Sequence, residues 1–410
     1  MHHPETLITT IVVGIVLAFA LGMLATRLRL SPLVGYLVAG VLVGPFTPGY
    51  VADTELAPQL AEIGVILLMF GVGLHFSIKE LWAVSRIAVP GAVVQMATAT
   101  ALGAVVAHGW GLPLAGGVAF GFSLSVASTV VLLRALEDRR ALASEAGRIA
   151  VGWLIVEDLA IVLALVLLPV LASLADPAAA QQDPGQIALT VGTVLAKIAL
   201  FVALMLVVGA RLLPSLLVRI AKLRSREMMS LGVLAMALGI AFLAYEVFGA
   251  SFALGAFFAG LVLNNSEIGH KAGEQILPLR DAFAVLFFVS VGMLFDPMIL
   301  LQEPLAVGVV LLIVVLGKSL AALAITVAFR QPLATGLTIA ASLAQIGEFS
   351  FVFAGTAVAL GLMPESLRDL VLAAAMLSIA LNPFVFAGVA WLAKHLAAGR
   401  AAEPKGQAVA

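Results

Sequence analysis

The chain alternates between long apolar runs and short polar breaks. Reading runs of about 20 apolar residues between charged, proline and glycine positions gives thirteen spans. They lie near 6–26, 31–45, 56–75, 88–108, 113–134, 146–174, 187–213, 228–247, 250–264, 279–295, 303–327, 333–360 and 367–394. The runs are rich in Ala, Leu and Val and lack the polar alternation of a membrane-barrel strand, so each is read as a helix. The second and ninth are half-length or strongly tilted. The predicted fold class is an all-α polytopic membrane protein.

Composition supports this reading. Of 410 residues, 62% are hydrophobic and 11% are charged, against about a quarter charged in a soluble domain. A net charge of −1 excludes a basic nucleic-acid binder. The absence of cysteine excludes a disulfide framework, Cys-ligated zinc and thiol catalysis. The start, MHHPETLITTIVVG, has neither a basic n-region nor a small-residue cleavage site, so the first run is read as a retained span.

The basic residues test the span count. Arg27, Arg29, Lys79, Arg86, Arg134, Arg139, Arg140, Arg148, Arg211, Arg219, Lys222, Arg224, Arg226, Lys271, Arg280, Arg330, Lys394, Arg400 and Lys405 all fall on one side of a thirteen-span arrangement. Only Lys197, Lys318 and Arg368 fall elsewhere. The positive-inside rule then places the N-terminus outside and the C-terminus in the cytoplasm.

Two segments repeat. SPLVGYLVAGVLVGP at 31–45 aligns with SFALGAFFAGLVLNN at 251–265, with Ser31/Ser251, Gly35/Gly255, Ala39/Ala259 and Gly40/Gly260 coinciding. LLMFGVGLHFSIKEL at 67–81 aligns with LFFVSVGMLFDPMIL at 286–300, matching Leu67/Leu286, Val72/Val291, Gly73/Gly292, Phe76/Phe295 and Leu81/Leu300. The offsets are 220 and 219, and they cover seven spans, so the two halves are expected to be inverted. Inverted repeats place a transporter's substrate site near the midplane at broken helices.

The same offset points to spans five and twelve. GFSLSVASTVV and AASLAQIGEFSFV bring Ser123/Ser342 and Leu124/Leu343 into register, and both interrupt an apolar run at mid-membrane depth. Their Ser, Thr, Gly, Gln and Glu residues let a helix unwind and expose carbonyl and hydroxyl oxygens to a small cation. Close packing of small residues explains either segment alone; as an equivalent pair they are read as broken helices.

Span six contains GWLIVEDLAIVLALVL, with Glu157 and Asp158 adjacent. One carboxylate at the bilayer centre costs at least about 2.5–3.5 kcal/mol on the insertion scale, so an idle pair is a poor explanation. The repeat-related stretch of span thirteen has Met376 and Leu377 there, so symmetry alone does not require the acids. Neighbouring helical residues point about 100° apart. The economical arrangement pairs Glu157 with Lys318, midway along span eleven, and leaves Asp158 for a transported ion. Glu348, in IGEFSF of span twelve, is expected to brace the exposed N–H groups of a half-helix. A carboxylate can be neutralised by a proton or by a cation, and competition between the two enforces exchange if only loaded states cross the membrane. No GxxxxGK[ST] or GxGxxG segment is present, so no nucleotide is implicated. His75, His108 and His270 are scattered at span ends, which argues against a metal cluster. Lys197 snorkels outward or pairs with another helix. The stretch 175–186 reads as a flexible connector.

Together LSPLVGYLVAGVLVGP, LMFGVGLHFSIKEL, WLIVEDLA, FFVSVGMLFD and LAQIGEFSFV resemble the monovalent cation:proton antiporter-2 family, in particular its Kef-type potassium/proton branch, over about residues 7–395. The resemblance implies a sodium/proton antiporter-like fold with two crossed broken helices in a core domain, an elevator-like motion against a dimerisation domain, and homodimers in a bacterial-type inner membrane. Residue by residue, Asp158 matches the ion-binding aspartate, and Lys318 the core-helix lysine. Ser125, Ser128 and Thr129 match the crossover of span five; Gln345 and Glu348 match that of span twelve. Glu157 departs from the Asp, Asn or Gln found before the aspartate in related branches, which leaves the stoichiometry open.

The expected organisation is an antiporter domain at 1–395, with repeat one at 7–174, a linking helix at 187–213 and repeat two at 228–395. A cytoplasmic linker follows at 396–410, without a nucleotide-binding domain, so nucleotide or glutathione gating is not carried over. The expected activity is exchange of K⁺, ahead of Na⁺, for protons, without enzymatic chemistry or a cofactor. A channel-like cation efflux pathway and an organic-anion/proton symporter are the competing classes. The first requires an open pore, the second a larger cavity with more polar and aromatic lining.

Overall fold

The computed structural model describes residues 4–402 apart from Arg29, 53–55, 76–77, 176–183, Asn265, Glu267, 270–272 and Glu274. Phe76, His270, Lys271, most of the expected connector and the end of the tail therefore lie outside the described residues. The helices in chain order are α1 (Pro4–Arg27), α2 (Pro32–Val43), α3 (Leu56–His75), α4 (Ile78–Gly109), α5 (Leu114–Ser125), α6 (Thr129–Asp138), α7 (Glu145–Ala175), α8 (Pro184–Leu204), α9 (Ala210–Ala221) and α10 (Arg226–Phe248). They continue with α11 (Phe252–Asn264), α12 (Leu277–Met293), α13 (Pro304–Leu312), α14 (Lys318–Ala328), α15 (Leu333–Ser342), α16 (Glu348–Ala359) and α17 (Glu365–Ala402). Single π turns join α8 to α9 at Met205–Gly209 and α13 to α14 at Ile313–Gly317.

Among the described residues, seven helices are long and apolar enough to cross a membrane, and six shorter apolar helices accompany them. Each of the thirteen predicted spans contains helix. Spans five and twelve are each divided, into α5/α6 and α15/α16. Three boundaries differ from the sequence reading. Span four begins at Ile78 rather than near 88, because Lys79 and Arg86 are good helix formers and do not end a helix by being charged. Span seven continues beyond 213 to Ala221, carrying Pro214 inside it. Span thirteen continues beyond 394 to Ala402, into the expected linker.

The chain forms two compact units. Unit one comprises residues 1–78, 159–302 and 351–372. In it α3 packs on α11 and α12, α2 on α1 and α12, and α10 on α11. Glycines set these approaches. A Cβ on Gly73 would overlap the carbonyl oxygen of Phe257, and one on Gly260 that of Phe70. A Cβ on Gly292 would overlap the carbonyl oxygen of Leu37, and one on Gly40 that of Val289. Gly73 and Gly292 are 219 residues apart, as are Phe70 and Val289; Gly40 and Gly260 are 220 apart, as are Leu37 and Phe257. The α3–α11 contact is thus repeated, residue for residue, as the α12–α2 contact.

Unit two comprises residues 79–158, 303–350 and 373–410. Its core gathers Leu132, Leu136, Trp153, Leu154, Ile339 and Leu343. Trp153 is completely buried, and it fits because a Cβ on Gly91 would overlap its ring. Its indole N–H donates to Gln95 Oε1 at 3.4 Å, which meets the usual requirement that a buried indole find an acceptor.

Candidate functional site

Every predicted site residue lies in unit two. α5 stops at Ser125, where Val126 takes up extended geometry at φ −91° and ψ 133°. The chain re-enters helix at α6 through Ser128, whose hydroxyl caps Val131 N at 3.3 Å. On the other side α15 stops at Ser342 and α16 starts at Glu348. Each break strips backbone groups of their helical partners, and such groups are costly to bury unless paired.

The two breaks satisfy each other. Gly347 N donates to Val126 O at 3.0 Å. The side chain of Gln345 acts as a double clamp, its Oε1 accepting from Ser128 N at 2.8 Å and its Nε2 donating to Ser128 O at 3.1 Å. Gly347 permits the approach, since a Cβ there would stand 2.6 Å from Ala127 O. Five further groups are met by buried side chains from neighbouring helices. Glu157 Oε2 accepts from Ala127 N at 2.7 Å, and Gln95 Nε2 donates to Ser125 O at 3.0 Å. Lys318 Nζ donates to Gln345 O at 2.9 Å. Ser378 Oγ accepts from Ile346 N at 3.3 Å, and Asn382 Nδ2 donates to Ala341 O at 3.0 Å.

Asp158 stands beside this frame. Thr129 Oγ1 donates to Asp158 Oδ2 at 3.0 Å, while Asp158 Oδ1 and Glu157 Oε1 are buried without a hydrogen-bond partner. Thr129 opens α6, so the break itself delivers a hydroxyl to the carboxylate. A buried carboxylate oxygen with no donor is the group most in need of a cation or a proton.

One expectation is corrected by this geometry. Glu157 and Lys318 do not form a direct ion pair: Lys318 is fully buried with its ammonium on the Gln345 carbonyl, and Glu157 holds the Ala127 amide. Each meets a backbone group that the breaks leave bare. Ser125 and Ser128 both commit their hydroxyl protons within the protein. Ser125 Oγ donates back to Phe122 O at 2.7 Å, and Ser128 Oγ donates to Glu348 Oε2 at 2.8 Å. Glu348, the first residue of α16, is the acceptor of the Ser128 hydroxyl.

Residues 14–392 match the sodium/hydrogen exchanger family, transmembrane domain. The chain belongs to this family. It is 60% identical over 399 residues to YbaL of Escherichia coli (strain K12), named as a cation/proton antiporter, covering 97% of this chain and 70% of that protein. It is 32% identical over 383 residues to K(+) efflux antiporter 4 of Arabidopsis thaliana, covering 93% of this chain and 63% of that protein. Its fold matches the solved sodium proton antiporter MjNhaP1 from Methanocaldococcus jannaschii with a TM-score of 0.65 at 17% identity, over 92% of this chain and 96% of that one. The chain is therefore a membrane transporter of the cation/proton antiporter family with an all-helical antiporter fold.

Four residues of this exchanger's crossover escape a reading of motifs: Gln95, Ala127, Ser378 and Asn382. Gln95, Ser378 and Asn382 are buried polar side chains in apolar helices. That isolation is the signal that marks them, since polar groups at membrane depth are expensive. Ala127 contributes only its amide and has no side-chain signal.

Proposed function

We propose that this exchanger moves a monovalent cation, K⁺ ahead of Na⁺, against protons by alternating access, with cation and proton competing at Asp158. The observation that carries the reading is the unpartnered, buried Asp158 Oδ1 beside a Thr129 hydroxyl that holds Oδ2. Thr129 fixes the carboxylate's direction and leaves one oxygen for the exchanged species. The non-helical segments at 126–128 and 343–347 carry backbone carbonyls at the two breaks, a feature that suits an oxygen-liganded cation.

Potassium is favoured by the relatives named as K(+) efflux antiporters, which share 32% identity with this chain. The paired offsets of 219 and 220 support two repeats related by inversion, about 7–174 and 228–395, with a linking helix at 187–213 between them. All the site groups belong to one compact unit, so the site is carried whole through the alternating step. The resemblance further supports a homodimer in a bacterial inner membrane, and the basic-residue asymmetry supports an outside N-terminus with a cytoplasmic C-terminal linker at 396–410.

The test is a flux assay in liposomes carrying an internal pH dye, with K⁺, Na⁺ and Li⁺ added in turn. Cation-dependent proton movement is expected, largest with K⁺, and absent in Asp158→Asn with the fold retained. Steady ionic current without coupled proton flux would support the channel reading instead. Proton flux evoked only by organic anions would support the symporter.

A further inference from the structure

The corner between α9 and α10 carries a charge pattern that ion exchange does not use. Between Asp183 and Glu246 the only acidic residue is Glu227, yet Arg211, Arg219, Lys222, Arg224 and Arg226 lie within sixteen residues. All five are exposed. Among the described residues none of the five side chains makes an ion pair or a hydrogen bond; Arg211 is engaged only through its carbonyl, by Ser215 Oγ.

Helical geometry sorts the segment into two faces. At 100° per residue, Arg211, Ser215, Arg219 and Lys222 fall within about 80° of one another. Leu213 and Leu217 are buried on the opposite side. Flanking the basic face are Leu212, Val218 and, just beyond the helix, Leu223, exposed by 49, 43 and 62%. Arg224 is held at φ 50°, which turns the chain sharply between the two helices. Cations interleaved with exposed aliphatic side chains at the end of a spanning helix match a surface where anionic headgroups lie above acyl chains.

We propose that this corner binds the phosphate of an anionic phospholipid, with Arg219, Lys222 and Arg224 meeting the headgroup and Leu212, Val218 and Leu223 lying against its chains. A free phosphate would satisfy the cations but leave the three aliphatic side chains uncovered. A zwitterionic lipid would cover them but bring its own positive charge to the cluster. Charge and apolar surface together select the anionic lipid. The proposal concerns unit one alone and is independent of the exchange assigned to Asp158.

The test uses the whole purified protein in detergent, stripped of lipid, with bound lipid counted by native mass spectrometry. Phosphatidylglycerol is expected to bind in clear preference to phosphatidylcholine, and Lys222→Gln to weaken it about fivefold. The triple variant R219Q/K222Q/R224Q is expected to lose affinity on the order of 100-fold. R219K/R224K keeps the charge and is expected to retain binding, which guards against a folding defect. R27Q/R86Q/R330Q removes three exposed cations elsewhere and is also expected to retain it. Equal loss in the two triple variants, or equal binding of the two lipids, overturns the proposal and leaves the cluster only a topology signal. Inorganic phosphate that displaces phosphatidylglycerol at millimolar concentration would identify an anion site instead, and overturns it as well.

Discussion

Glu157 and Asp158 are neighbours in sequence with separate duties. Glu157 uses Oε2 to hold the Ala127 amide, a group that a neutral acceptor can serve as well as a charged one. Glu157→Gln keeps an oxygen at that place and is expected to preserve exchange, with unfolding shifted by less than about 1 kcal/mol. Glu157→Ala leaves the Ala127 N–H buried and bare, and is expected to cost about 1–3 kcal/mol. Thermal unfolding of the two variants beside the parent measures the difference. Lys318 is not released by either change, because its hydrogen-bond partner is the Gln345 carbonyl. The pairing of Glu157 with Lys318 looked economical from the sequence because side-chain charges are visible there. The bare backbone groups that compete for them become visible only once both helices break.

At the scale of the element, the crossover is a mutual cap. Ala127 and Ile346 are 219 residues apart, the offset that also relates Gly73 to Gly292; one amide is met by Glu157, the other by Ser378. An acid and a hydroxyl perform the same task in the two halves, which is why alignment by identity sets Glu157 against Met376 and passes over Ser378. Ser378→Ala is expected to destabilise by about 1–3 kcal/mol through the bare Ile346 N–H, with Ser378→Thr restoring most of it. Gly347→Ala pushes against the Ala127 carbonyl and is expected to cost a similar amount. The breaks themselves were legible, since Gly, Ser, Thr, Gln and Glu interrupt apolar runs at matching places. Their partners on α4 and α17 were not, because a lone Gln or Asn reports polarity without saying which backbone group it serves.

For the whole molecule, the contacts of α3 on α11 and of α12 on α2 are one contact used twice. Gly73→Ala and Gly292→Ala insert a methyl against equivalent carbonyl oxygens, of Phe257 and Leu37. They are expected to destabilise the protein by similar amounts, about 1–3 kcal/mol each, readable as paired shifts in thermal unfolding. A marked inequality would show that the halves do not share this packing. The spans could be read from the chain because membrane helices carry strong signals; the division into two compact units could not, since it runs through α7, α16 and α17 rather than between helices.

The central claim is that one carboxylate couples cation movement to proton movement. Uptake of ⁸⁶Rb⁺, a stand-in for K⁺, into proteoliposomes under an imposed pH gradient tests it most directly. The account predicts that the parent protein accumulates the ion above its outside concentration only while the gradient lasts, and that Asp158→Asn does not accumulate it at all. Accumulation by Asp158→Asn equal to that of the parent would contradict it.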